Sequence, residues 1–232
     1  MSDLLHALQG TLVVSCQADR GSPLGDPSHI SAMAEAVVAG GATAIRTEGL
    51  ANIAAIKERV AVPVIGLVKT KRPDTQIYIT PLIEDVMAIA QAGADIIAFD
   101  ATARPRPVPV AKLVEAVHAQ GRLAMADIST VDEAVAALAD GADVVSTTMA
   151  GYTSYSSGGE GPDFGLMRAL QRAGVPYVAE GRIWTIENAQ ACLALGASFI
   201  VVGSAITRPT LITERFSRSI ADRRDAQIQR KA

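Results

Sequence analysis

Short, uninterrupted apolar runs alternate along the chain with stretches whose apolar residues recur at helical spacing. Four runs grow out of a repeated phrase: Gly41-Ala42-Thr43-Ala44-Ile45, Gly93-Ala94-Asp95-Ile96-Ile97, Gly141-Ala142-Asp143-Val144-Val145 and Gly196-Ala197-Ser198-Phe199-Ile200, spaced 52, 48 and 55 residues apart. In each, an Ala-rich stretch ends at a Gly that can take the left-handed cap conformation, and a strand follows. The other runs are Thr11–Ser15, Val62–Gly66, Leu123–Ala126 and Val175–Ala179. All eight are apolar throughout rather than alternating, which indicates strands covered on both faces, as in a parallel sheet. Helical spacing fills His29–Ala39, Ala51–Val60, Leu82–Gln91, Val110–Gln120, Val131–Ala139, Phe164–Ala173 and Ile186–Leu195.

Eight strands alternating with helices over 232 residues predict a single α/β domain, a (β/α)8 barrel spanning 1–232. A doubly wound open sheet is the competitor, and no Gly-x-Gly-x-x-Gly turn after the first strand supports it. Leu4–Gln9 predicts a short N-terminal helix under the barrel floor. The polar, Arg-rich tail Glu214–Ala232 predicts a final solvated helix that frays, from about 217 onward.

Composition narrows the function classes. Hydrophobic residues make up 49% and charged residues 19%, which excludes a disordered chain. Aromatics are scarce (Phe 4, Tyr 4, Trp 1), so the core is aliphatic and base stacking has little material. A net charge of −3 leaves no electrostatic footprint for nucleic acid. The longest uncharged stretch, Asn188–Thr207, is broken by Asn188, Gln190, Gly196, Ser198, Gly203 and Ser204 and predicts no membrane span. With Cys16 and Cys192 far apart and no leader pattern, a disulfide framework has no support and the cytoplasm is expected.

In a barrel the chemistry stands at the carboxyl ends of the strands. The first polar residues after the runs are Gln17, Arg46, Lys69, Asp100, Asp127, Thr147 with Thr148, Glu180, and Gly203 with Ser204. One charged strand end is ordinarily a solvated loop residue; Arg46, Lys69, Asp127 and Glu180 together at one mouth point to a reaction site. The three histidines, His6, His29 and His118, end no strand, so no His-ligated metal is expected, and a carboxylate-only magnesium site at Asp100 and Asp127 is weakly supported. Proton transfer then falls to Lys or to carboxylates whose pKa is shifted by burial. Cys16 beside Gln17 lacks a nearby His and is assigned to packing, as is Cys192.

The last two strands end in Glu180-Gly181-Arg182 and Gly203-Ser204-Ala205-Ile206-Thr207-Arg208-Pro209. The loops after strands seven and eight and a short extra helix commonly hold phosphate in barrels, with glycines letting backbone N–H groups approach the anion. Arg182 and Arg208 would add charge-assisted contacts. The Gly- and Ser-rich stretch Ala150–Pro162 is either a connection or a lid, and Arg104–Pro109 is a stiff basic link over the mouth.

Taken in order, Ser15-Cys16-Gln17, Ile45-Arg46, Pro63–Lys69, Ala94–Thr102, Met125–Thr130, Gly151-Tyr152-Thr153, Ala179–Arg182 and Val202–Pro209 resemble the N-acylmannosamine-6-phosphate 2-epimerases of sialic acid catabolism, over about Leu4–Phe216. The resemblance implies a TIM barrel of the ribulose-phosphate-binding type. It implies interconversion of N-acetylmannosamine 6-phosphate and N-acetylglucosamine 6-phosphate without a cofactor. It also implies that Lys69 and Glu180 are the acid/base residues, with Arg46 and Asp127 in support.

Inverting C2 of an open-chain 2-acylamino aldose requires a proton removed beside the C1 carbonyl and one returned to the opposite face. Lys69 and Glu180 end strands three and seven, half a ring apart, and are expected to face each other. Asp127 either orients Lys69 or holds a sugar hydroxyl. Two rivals stand: a phosphosugar aldolase or lyase forming a Schiff base on Lys69, and a barrel that only binds a sugar phosphate. The expected partner is the small amino-sugar phosphate, with a homodimer as a further expectation.

Overall fold

Each apolar run is a strand in the computed structural model, which describes residues 2–19, 21–156 and 158–229, the side chains of 224–229 excepted. The strands are β1 (Leu12–Ser15), β2 (Ala44–Glu48), β3 (Val64–Leu67), β4 (Ile96–Asp100), β5 (Leu123–Asp127), β6 (Val144–Ser146), β7 (Tyr177–Glu180) and β8 (Ile200–Val202). They pair in sequence order, all parallel, and β1 closes on β8 through Val13↔Val201. The helices are α1 (Asp3–Ala7), α2 (Pro27–Ala39), α3 (Leu50–Arg59), α4 (Ile83–Gln91), α5 (Val110–Ala119), α6 (Val131–Ala139), α7 (Phe164–Arg172), α8 (Ile186–Ala194), α9 (Ser204–Thr207) and α10 (Pro209–Gln229). The architecture is the expected (β/α)8 barrel. Among the described residues no helix is long and apolar enough to cross a membrane. The tail expected to fray from about 217 is helical through Gln229, and 230–232 lie outside the described residues.

Strand alternation divides the aliphatic residues between two cores. Val13, Ala44, Ile65, Leu67, Ile96, Ala98, Met125, Val144, Val178, Phe199 and Val201 fill the barrel interior, with Leu5 and Leu8 closing the floor from α1. Their neighbours Val14, Ile45, Val64, Ile97, Phe99, Ala124, Ala126, Val145 and Ala179 face the helices. Cys16 and Cys192 belong to this outer layer, where burial pushes their thiols up to about 12 and about 11. Cys16 therefore faces away from the mouth and packs, as expected.

Most boundaries shift by one or two residues, and two of the shifts have a clear physical cause. Helix α2 begins at Pro27 rather than His29, because the Asp26 carboxylate accepts from the Ser28 N–H and Pro27 fits the first turn. Strand β2 continues to Glu48, so Arg46 lies inside the strand rather than beyond it. The strand can carry that charge inward because Asp127 of β5 neutralises it there.

Candidate active site

Parity places the site. Two residues beyond the last interior aliphatic of β1 to β7, in the same alternation, stand Ser15, Arg46, Lys69, Asp100, Asp127, Ser146 and Glu180. The inward row that fills the barrel thus becomes polar at the top. Above it opens a cavity of about 270 Å³ lined by Gln17, Arg46, Lys69, Tyr78, Thr148, Tyr152, Glu180, Gly181, Arg182, Trp184, Gly203, Ser204 and Arg208, among others.

Arg46 is the fixed point beneath this cavity. Its Nη1 and Nη2 donate to Asp127 Oδ1 and Oδ2 at 3.2 and 2.6 Å, and Nη1 lies 3.2 Å from Glu180 Oε2. Both partners of the Arg46–Asp127 pair are 1% exposed or less. Two planar donors on two oxygens lock the guanidinium, and both charges depend on each other. Asp127 does not contact Lys69, which corrects the expectation that it orients the lysine. Its oxygens are held by Arg46 and by the Thr148 hydroxyl at 2.9 Å.

The Lys69 ammonium instead donates to Gln17 Oε1 at 2.7 Å, and Gln17 Nε2 donates to Ser15 Oγ at 2.9 Å. Burial holds the Lys69 pKa below its ordinary value; Arg46 and Arg208 reinforce this, while Glu48 and Glu180 oppose it. Across the cavity, burial pushes the Glu180 carboxyl up, aided by Asp127 and opposed by Arg46, Thr148 and Lys69. Thr148 Oγ1 lies 2.9 Å from Asp127 and 2.8 Å from Glu180. One hydroxyl hydrogen serves one carboxylate at a time, so Thr148 links the two rather than satisfying both.

The loops after β7 and β8 form the other end. Gly181 and Arg182 both have positive φ, 110° and 54°. The Arg182 guanidinium turns to the carbonyls of Gly161 and Ala150 at 2.8 and 2.7 Å and lies over the Tyr152 ring. It fastens the loop 150–162, which is also held by the Tyr155 hydroxyl donating to Glu133 at 2.6 Å and the Thr153 hydroxyl donating to Ser129 Oγ at 3.2 Å; Ser157 lies outside the described residues. Gly203 passes so near β1 that a Cβ would sit 3.3 Å from Ser15 Cβ. Helix α9 starts there, and Thr207 Oγ1 binds the Ser15 carbonyl at 2.7 Å. Arg208 reaches Asp19 at 3.1 Å.

Asp100 lies outside the cavity, paired with Arg104 and bonded by Thr102. The stretch after β4 thus turns its arginines inward instead of over the mouth. With Asp100 and Asp127 each committed to arginine, the weakly supported magnesium pair does not form. Among the described residues, no three of His, Cys, Asp and Glu are grouped to hold a metal ion. The sequence missed Tyr78, Tyr152 and Trp184 as lining residues, since none directly ends a strand.

Comparison with known proteins agrees with this geometry. Residues 30–222 match a family described as "Putative N-acetylmannosamine-6-phosphate epimerase". A Caldanaerobacter subterraneus protein named in the same terms as a 2-epimerase is 45% identical over 99% of both chains. One from Klebsiella pneumoniae, named likewise, is 50% identical over 86% of this chain and 85% of its own. The solved structure of the N-acetylmannosamine-6-phosphate 2-epimerase from Clostridium perfringens superposes with a TM-score of 0.91 at 44% identity, covering 94% of this chain and 96% of the other.

Proposed function

Since the chain belongs to the N-acetylmannosamine-6-phosphate epimerase family, we propose that Lys69 and Glu180 are the two proton-transfer groups of its 2-epimerase reaction, one at each face of C2. The activity is that of an isomerase, and inversion at C2 of N-acetylmannosamine 6-phosphate yields N-acetylglucosamine 6-phosphate. The observation that carries the assignment is that Lys69 and Glu180 line one cavity from the ends of β3 and β7, half a ring apart in the closed barrel. Lys69 is eased toward its neutral, basic form and Glu180 toward its protonated, acidic form. With one proton between them, the unprotonated group takes the C2 proton at one face while the protonated group delivers its own at the other.

Arg46 and Asp127 support this pair. The guanidinium lies beside Glu180 and offers fixed positive charge where an enolate develops, and Asp127 holds it in place. Gln17 aims Lys69. Phosphate is assigned to Gly181, Arg182, Gly203, Ser204 and Arg208, where α9 presents its first N–H groups. Arg208 supplies the main charge-assisted contact, because Arg182 spends two donors on the loop carbonyls.

The Schiff-base lyase and the non-catalytic barrel are not favoured, since the matching relatives are named as epimerases. We further propose a cytoplasmic protein acting in sialic acid catabolism, a single domain over 1–232, and a homodimer; unbridged, buried Cys16 and Cys192 suit a reducing compartment.

The test is turnover in deuterated water. Epimerisation with deuterium at C2 is expected, and Lys69→Ala and Glu180→Ala are each expected to abolish it with unchanged far-UV circular dichroism. Inversion without deuterium, or full activity in either variant, defeats the assignment.

A further inference from the structure

Between β3 and α4 the chain forms a hairpin that the proton-transfer assignment leaves unused. Lys69 bridges Ile79 in antiparallel pairing, Thr70 N donates to Tyr78 O at 2.8 Å, and Thr80 N donates to Val68 O at 2.9 Å. The return arm is anchored at Thr80, a fully buried β-branched residue with φ of 45°, a conformation that costs free energy unless its surroundings impose it. The Thr80 hydroxyl supplies that constraint by donating to Ala98 O at 2.7 Å. The pairing therefore fixes Tyr78 relative to Lys69, and both side chains line the same cavity.

Among the described residues the Tyr78 hydroxyl donates to Met149 Sδ at 3.9 Å, a weak acceptor. It lies within electrostatic reach of Arg46, Asp127 and Asp100, over the fixed ion pair. Burial, reinforced by Asp127 and Asp100, raises its pKa above that of an ordinary tyrosine, so the phenol stays protonated through the neutral range. It is a neutral donor that lines the cavity and whose hydrogen is held by a weak thioether acceptor, which a substrate oxygen displaces readily.

We propose that Tyr78 is a further catalytic residue, donating its phenolic hydrogen bond to the oxygen on C1 of the open-chain substrate. When the base takes the C2 proton, the C–H pair becomes the C1=C2 double bond and the carbonyl pair moves onto O1. The Tyr78 O–H bonds to that oxygen more strongly as its charge grows, and the charge returns to carbon when C2 is reprotonated. No bond of Tyr78 breaks. A neutral phenol suits this place because it adds a donor without adding a positive charge that would depress Lys69 further.

The proposal rests on C2 deprotonation, so the experiment reads both. Wild type and Tyr78→Phe, which removes only the hydroxyl, are assayed in deuterated water for kcat, KM and deuterium at C2. Their affinities for a hydroxamate analogue with planar anionic oxygen at the C1 position, and for the reduced alditol 6-phosphate, are also measured. Loss of one such donor lowers kcat by about 100-fold, with KM little changed; hydroxamate affinity falls while alditol affinity is retained. A wild-type kcat in Tyr78→Phe, a loss carried by KM alone, or equal loss of both analogues overturns the role of Tyr78. Wild-type inversion without deuterium overturns the deprotonation assignment instead.

Discussion

The Glu180 carboxyl shows what the site demands of single residues. Its pKa is raised from the usual 4.5 because removal from water outweighs the attraction of Arg46. The folded state consequently binds the proton more tightly than the unfolded chain. Its contribution to stability is present at pH below the unfolded value and is lost as pH rises through the folded one. At neutral pH the residue is a cost borne for reactivity, as expected at a functional site. Glu180→Gln is therefore expected to raise Tm above wild type at pH 8, with the gain shrinking toward pH 4, while turnover is lost; calorimetry across that range checks it, and a lower Tm at pH 8 contradicts it. In the sequence these charged strand ends stood out because an apolar run led into each. Their pairing did not, since Arg46–Asp127 and Lys69–Gln17 join residues that only barrel closure brings together. Tyr78 was hidden for another reason: it sits in a connection with no periodicity, where nothing in the sequence marks an inward side chain.

Among the elements, β3 shows how tightly the site is framed. It is a four-residue strand whose outward position, Gly66, is pressed by the layer around it. A Cβ there would lie 2.7 Å from Ala94 Cβ, 2.8 Å from Ile53 Cδ1 on α3 and 2.9 Å from Ile89 Cγ2 on α4. The Ile53 Cδ1 tip can swing aside, but Ile89 Cγ2 sits on a branched Cβ with a stiff χ1, and Ala94 Cβ moves only with its backbone. Gly66→Ala is expected to destabilise by about 1–3 kcal/mol through overpacking and to lower kcat, because the displaced strand leads directly into Lys69. Denaturant unfolding and steady-state kinetics test this, and wild-type stability would show that the layer yields freely. The strands and helices were legible because the Gly-Ala phrases mark each helix-to-strand joint and parallel strands are apolar on both faces. Such continuous runs carry no period, however, so which residues of a run face the interior emerged only from the closed barrel. That parity separates Cys16 from Ser15, and Arg46 from Thr47.

At the scale of the whole molecule, α10 is the element the barrel leaves uncovered. It runs for 21 residues, about 30 Å at the usual rise. Beyond its first turn, side-chain contact with the body is recorded where Arg215 lies 4.2 Å over the Trp184 ring. Ile212, Phe216 and Ile220 follow at four-residue steps, so they share one face, and Phe216 and Ile220 are 68% and 69% exposed. A lone helix in water gains little from its own hydrogen bonds and relies on burying such a face. Exposed apolar residues flanked by charge, here by Arg215 and Arg223 three residues after Ile212 and Ile220, mark a surface meant for contact. A second copy satisfies the requirement with one self-complementary patch, the simplest closed assembly. Ile186 on α8, 75% exposed, offers further apolar surface near the Trp184 loop. Sedimentation velocity at micromolar concentration is expected to give a dimer for the wild type and a monomer for Phe216→Glu/Ile220→Glu. A wild-type monomer rejects the dimer; a variant that stays dimeric rejects this face as its interface, because two buried glutamates per protomer carry a desolvation cost that such a contact cannot absorb.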